Sequence, residues 1–390
     1  MQRDERIQFW VLNITAFFAQ LSIAMINLAL VYHLRIRFGL RADQIGIAAS
    51  LTPLSYLIFC LLGTKATERF RPRHLVEASL LLMGLSITLL VSTERVGLAF
   101  AALVFFGASM SLLWPHLMGW LSRGKEEKEL NRAVNAFNVS WSSGVALSSY
   151  IGGLLIEIST TVAFVVGIGL FAAIFALVAI ASTVVVGIRA VDSEEATIRQ
   201  SGTLVDQSTS LRFYAWSGIV ILYTGMSIIL TIFPLYGREV LLISESQTGL
   251  LLLLRGLSSC LTFFILGRTS FWHFKRRWIF GVQGCFALLA LWATQITSQL
   301  FFGLFFLLFG ILFSFAYTQS IFHGVSGALQ RARRMMVHEV LLTIGTVIGA
   351  VGGGAIYEHT SFSTVLFGCG IVAVTVMFLQ LAGGLVYRLV

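Results

Sequence analysis

Twelve apolar stretches run along this 390-residue chain, at approximately 9–34, 45–63, 75–92, 97–121, 133–156, 161–187, 213–236, 246–267, 278–296, 299–323, 335–357 and 362–387. A helix rises 1.5 Å per residue, so about 20 apolar residues cross a hydrocarbon core of ~30 Å. Each stretch is a continuous run, not a ten-residue alternation, and a lone strand could not satisfy its backbone in lipid; helices are therefore expected, not a barrel. Composition agrees. Hydrophobic residues make up 57% and charged residues 12%, where a soluble domain carries about 25% charge. The first stretch is too long for a signal-peptide core and lacks a small-residue cleavage site, so it reads as a retained helix. The expected fold class is an all-α membrane protein with twelve transmembrane helices in two six-helix bundles.

Lysine and arginine in the connecting loops set the orientation. With a cytoplasmic N-terminus, that face holds 21 basic residues and the opposite face five: Arg35, Arg37, Arg41, Arg95 and Arg238. Arg255 lies inside a segment. Both termini are thus expected in the cytoplasm, and a bacterial inner membrane is the expected location. The net charge of +9 is a topology signal, and no nucleic-acid partner is expected, because that function gathers basic residues on one folded surface. Cys60, Cys260, Cys285 and Cys369 all sit within apolar segments with no CxxC pair, so they read as small buried hydrophobes; no metal or cofactor is expected.

The one long polar stretch, 189–212, is rich in Ser, Thr and charge. It reads as a flexible cytoplasmic linker between an N-terminal bundle, 1–188, and a C-terminal bundle, 213–390. The two sides repeat one another. At an offset of 201, Gly144, Gly152, Gly153 and Glu157 fall on Gly345, Gly353, Gly354 and Glu358, and Arg132 falls on Arg333. At an offset of 203, the Phe-Phe-Gly at 105–107 falls on the Leu-Phe-Gly at 308–310, and Trp114 on Tyr317. Gln44-Ile45-Gly46 likewise falls on Gln247-Thr248-Gly249. Three matches in one order describe a parallel duplication, with a site expected between the halves near the membrane midplane.

With these features the chain resembles the major facilitator superfamily over nearly its whole length. That family has six-plus-six helices, a central cytoplasmic linker and a basic motif between helices two and three. The corresponding stretch runs from Gly63 to Arg73 and keeps an acid–arginine pair, Glu68-Arg69. Its glycine stands one position early, and Arg71 replaces the second glycine. The resemblance implies a gating role for Glu68, Arg69, Arg71 and Arg73. The glycines of segments five and eleven resemble the family's glycine-rich helix-five motif, but Ser148-Ser149 stand where antiporters often carry Gly-Pro. Glycines four apart let helices approach closely; close packing is the plainer reading, a sliding surface the functional one.

Polar groups inside lipid are costly, so each is a candidate for function. Segment one carries Asn13, Gln20 and Asn27 at spacings of seven, and segment five carries Asn131, Asn135, Asn138 and Ser142 on one stripe. Segment seven offers Thr224, Ser227 and Thr231. The resemblance places these helices around a central cavity; interhelical hydrogen bonds are the competing use. Arg255 follows five leucines near the middle of segment eight. It needs an anion, which is either a carboxylate or phosphate on the substrate or the side chain of Glu339. Glu339, beside His338, is the acid that stands clearly inside a segment, where a desolvated carboxylate could carry a proton. Position 342 is Leu, so there is no HExxH zinc motif. Trp114-Pro115-His116 in segment four stands at the place in the repeat equivalent to Tyr317-Thr318-Gln319 in segment ten; the proline can kink its helix, and Trp114 and Tyr317 can stack on a ring or sugar.

These residues point to a secondary transporter, not an enzyme. There is no Walker A, no GxSxG and too few interior acids for an aspartyl dyad. The expected cargo is a small polar or anionic organic solute moved by alternating access and coupled to protons. The alternatives are an efflux carrier of the same fold and a transport-inactive sensor or partner-binding member. The expected partners are that small molecule, protons and membrane lipid, and a monomer is the expected state.

Overall fold

The computed structural model describes residues 3–67, 70–122, 127–185, 208–328 and 331–389. Glu68 and Arg69 of the loop motif and most of the 189–212 linker lie outside the described residues, as do the side chains of Asn131 and Asn135.

Among the described residues the chain is helical throughout. It runs α1 (Arg3–Phe38), α2 (Ala42–Thr67), α3 (Pro72–Ser92), α4 (Val96–Met110), α5 (Trp114–Ser122), α6 (Glu127–Ile158) and α7 (Thr160–Val184). The second part continues with α8 (Leu211–Thr231), α9 (Phe233–Glu239), α10 (Glu245–Leu266), α11 (Arg276–Ala293), α12 (Gln299–Val325) and α13 (Arg331–Val347). A π-helical turn (Ile348–Gly352) then leads into α14 (Gly353–His359) and α15 (Phe362–Leu389). Eleven spans among the described residues are long and apolar enough to cross a membrane. The remaining expected span is α11, whose 18 residues begin with two arginines that lower its hydropathy. Large apolar side chains stay uncovered on the outer surfaces, such as Leu85 (65%), Ile180 (65%) and Leu300 (79%). In water such faces would be a liability; in lipid they are the solvent-facing side. The chain is an all-α membrane protein.

Local chemistry explains where the helices stop. Gly39 at the end of α1 takes φ +62, and Leu40 N–H bonds back to Leu34 C=O at 3.2 Å, the left-handed cap that glycine favours. Ser159 separates α6 from α7 by accepting from Thr161 N–H, and Ser244 opens α10 with a full capping box to Gln247. The expected kink near Pro115 is a break: α4 ends at Met110, and Pro115 is the second residue of α5. There its missing N–H costs no helical bond. Pro234 repeats this after Thr231, in the first turn of α9.

The contacts divide the chain into two compact units, residues 1–33 with 51–203 and residues 34–50 with 204–390. Each unit shows the duplication as three-dimensional packing. In the first, a Cβ on Gly144 would lie 2.6 Å from Phe17 O and 3.3 Å from Gln20 Cβ. In the second, a Cβ on Gly345 would lie 2.7 Å from Val220 O and 2.8 Å from Tyr223 Cβ. Residues 17 and 20 become 220 and 223 at the offset of 203. Gly107 presses on the carbonyl of Thr52, and Gly310 on that of Arg255, again 203 apart. Glycine is required because the backbones touch.

Residues 34–50 join the second unit through polar contacts. Arg35 Nε donates to Glu239 Oε1 at 2.6 Å, and Ala42 N–H donates to Glu358 Oε2 at 2.8 Å. Gly46 packs against the Ala350 carbonyl inside the π turn.

Candidate functional site

In the second unit, four helices bring polar side chains into one largely buried cluster. α8 supplies Tyr223 and Met226, α10 supplies Arg255, α12 supplies Tyr317 and Ser320, and α13 supplies His338 and Glu339. The glycine contacts draw these helices together. Gly310 of α12 lies on the backbone of Arg255, and Gly345 of α13 lies against Tyr223.

Arg255 is 4% exposed. Its Nη1 sits 3.1 Å from Met226 Sδ, a weak acceptor, and its Nε finds no hydrogen-bond partner. Among the described residues no carboxylate pairs with it. Arg255 and Glu339 are not ion-paired; Tyr223 lies near both. Tyr223 and Tyr317 have ring centroids 6.5 Å apart, and Tyr317 meets the His338 ring edge-on at 5.4 Å. His338 Nδ1 is 3.2 Å from Ser320 Oγ, whereas its Nε2 and Gln319 Nε2 are buried without partners. A guanidinium held without a counter-ion carries a desolvation cost of several kcal/mol. A guanidinium so placed has the chemistry to take an anion.

The counterpart positions of the first unit are more weakly polar. Tyr317–His338 corresponds to Trp114–Phe137, which are also edge-on at 6.1 Å. Tyr223 corresponds to Gln20, Arg255 to Thr52 and Glu339 to Asn138. Gln20 is 9% exposed, while Asn27 and Asn138 are exposed. Asn13 is tied up locally: Nδ2 donates to Phe9 O at 2.8 Å, and Oδ1 accepts from Ser140 Oγ at 3.3 Å. This is an α1–α6 tether. His116 Nδ1 lies 3.0 Å from Leu112 O, and Thr224 Oγ1 donates to Val220 O at 2.9 Å. In the loop motif, Arg71 is exposed at the start of α3, and Arg73 Nε donates to His74 Nε2 at 3.3 Å.

Sequence reasoning singled out Arg255, Tyr317, Gln319 and Glu339 but missed Tyr223, the side chain near both the arginine and the acid. The signal was present, because Tyr223 is the repeat mate of Gln20.

Solved structures share this helical arrangement. A POT-family transporter in complex with a thioalcohol-conjugated peptide matches at TM-score 0.74 and 14% identity, covering 96% of this chain and 95% of that one. The nucleoside transporter NupG matches at 0.72 and 13%, over 96% and 98%. A bacterial homologue of the human lysosomal transporter Spinster, inward-facing and unoccupied, matches at 0.73 and 9%, over 97% of each chain. At these identities the likeness shows the fold alone. Residues 12–328 match the family model of the Major Facilitator Superfamily, and the chain belongs to that family. Curated protein sequences give no significant match.

Proposed function

We propose that the chain is a secondary transporter that moves a small organic anion across the membrane by alternating access. The carrying observation is Arg255, 4% exposed with no carboxylate partner among the described residues. A structural arginine in lipid would be matched by a protein acid; this one is left for a ligand. Its planar fork suits a carboxylate or phosphate. Tyr223 and Tyr317 would contact the rest of the solute. Glu339, which like Arg255 lies near Tyr223, is the proton-coupling group in this proposal. In this proposal the termini face the cytoplasm, which the basic-residue bias supports, and Arg71 and Arg73 belong to the loop that gates that face.

Thermal unfolding of the purified protein against panels of carboxylates, phosphates and neutral polar solutes tests the reading. A ligand at a hundred times its Kd stabilises the folded state by about 2.7 kcal/mol. Stabilisation by one class of organic anion supports the proposal; stabilisation by neutral solutes alone overturns it.

A further inference from the structure

Along α8, α13, the π turn, α14 and α15 runs a half-open groove of about 670 Å³. Its lining is almost wholly apolar and includes Phe213, Trp216, Ile348, Gly352, Gly368 and Val372. The rim is open to the membrane side: Phe213 is 56%, Ile348 51% and Val372 53% exposed. From Phe213 to Ile228 the groove follows α8 for about 22 Å at 1.5 Å per residue. That exceeds the ~15 Å half-thickness of a hydrocarbon core.

Two glycines keep this space open. Gly349 and Gly353 are closely packed, against the Thr224 carbonyl and Ile228. A Cβ on Gly352 or Gly368 would meet nothing within 4 Å, so backbone contact does not require glycine there, and glycine weakens a helix relative to alanine. At the mouth, Arg212 lies over the Phe213 ring at 4.5 Å and donates to Thr209 O at 3.0 Å. The positive charge thus stands where the apolar groove meets the linker end of α8.

We propose that this groove is a binding site for one acyl chain of a bilayer phospholipid, whose phosphate rests at Arg212. Apolar lining, open rim, length and the basic mouth all match that ligand, and the bilayer supplies it directly. The occupant would also act on the transporter. Ile348 and Gly352 line the groove, while Gly349 and Ala350 of the same π turn hold α8 and α2 through Thr224 and Gly46. A chain in the groove supports the turn that makes those contacts.

The test uses the full chain in vesicles of phosphatidylethanolamine and phosphatidylglycerol, with a trace of phosphatidylglycerol carrying a diazirine in its acyl chain. After irradiation, mass spectrometry compares labelling at 365–376 with labelling of the exposed Leu81–Leu85 face of α3. Labelling of the groove severalfold above that face, falling to its level in the Gly352→Leu/Gly368→Leu variant, is expected. Arg212→Gln is expected to reduce the excess. Equal labelling of groove and reference face in the wild type overturns the proposal and needs no variant to be stable. Excess label retained in a filled-groove variant that unfolds at the wild-type temperature also overturns it.

Discussion

Replacing Arg255 with methionine separates a ligand-binding charge from a structural one, because the two roles predict opposite effects on stability. Without ligand, the side chain holds a buried charge against Met226 Sδ, and its Nε is unpartnered. Exchanging buried ions for apolar groups of similar size is often neutral or stabilising by about 1–4 kcal/mol. Arg255→Met should therefore unfold at the wild-type temperature or above it. With an organic anion bound, the same substitution removes one partner of a buried charge pair, a loss of about 2–5 kcal/mol. At 1.4 kcal/mol per decade this weakens binding by roughly 30-fold to several thousandfold. Thermal unfolding with and without the anion, together with its titration by calorimetry, reads both effects. A variant that unfolds earlier than the wild type yet binds the anion equally would refute the reasoning and make Arg255 structural.

Glu339→Gln should flatten the pH dependence of uptake while leaving exchange between labelled and unlabelled solute intact; wild-type uptake that ignores pH would sink the coupling role. Gly345→Leu, whose Cβ would lie 2.8 Å from Tyr223 Cβ, should destabilise by about 1–3 kcal/mol or more through overpacking, read as a lowered unfolding temperature. The Arg35–Glu239 pair has side chains 36% and 30% exposed, so a double-mutant cycle should return about 0.2–1 kcal/mol; a coupling several times larger would show that the pair is shielded from solvent.

The duplicated glycines were the most legible part of the fold, because a backbone-to-backbone contact accepts no other residue. Gly144 and Gly345 announced the repeat, and both touch repeat-related residues of the neighbouring helix. Arg255 was legible as a charge within leucines. Its surroundings were not: Met226 carries no pattern of its own, and Tyr223 is marked only as the repeat mate of Gln20. Within the α1 stripe, the spacing could not tell Asn13, which is satisfied by Phe9 and Ser140, from Asn27, which is exposed. The π turn left no mark beyond a run of glycines. Its extra residue per turn is set by how α13 must meet α8 and α2, a tertiary demand that no local propensity encodes. Helix ends drifted where polar residues extend a span, as in α6, which begins at Glu127, ahead of the apolar run from 133.

Counterflow in proteoliposomes tests the central claim most directly. Vesicles holding wild-type protein are loaded with the unlabelled anion selected by thermal unfolding and diluted into a trace of the labelled compound. A transient internal accumulation of label is predicted, absent from protein-free vesicles and abolished by Arg255→Met. No accumulation in wild-type vesicles, with an anion that binds through Arg255, would contradict transport and leave a binding protein in its place.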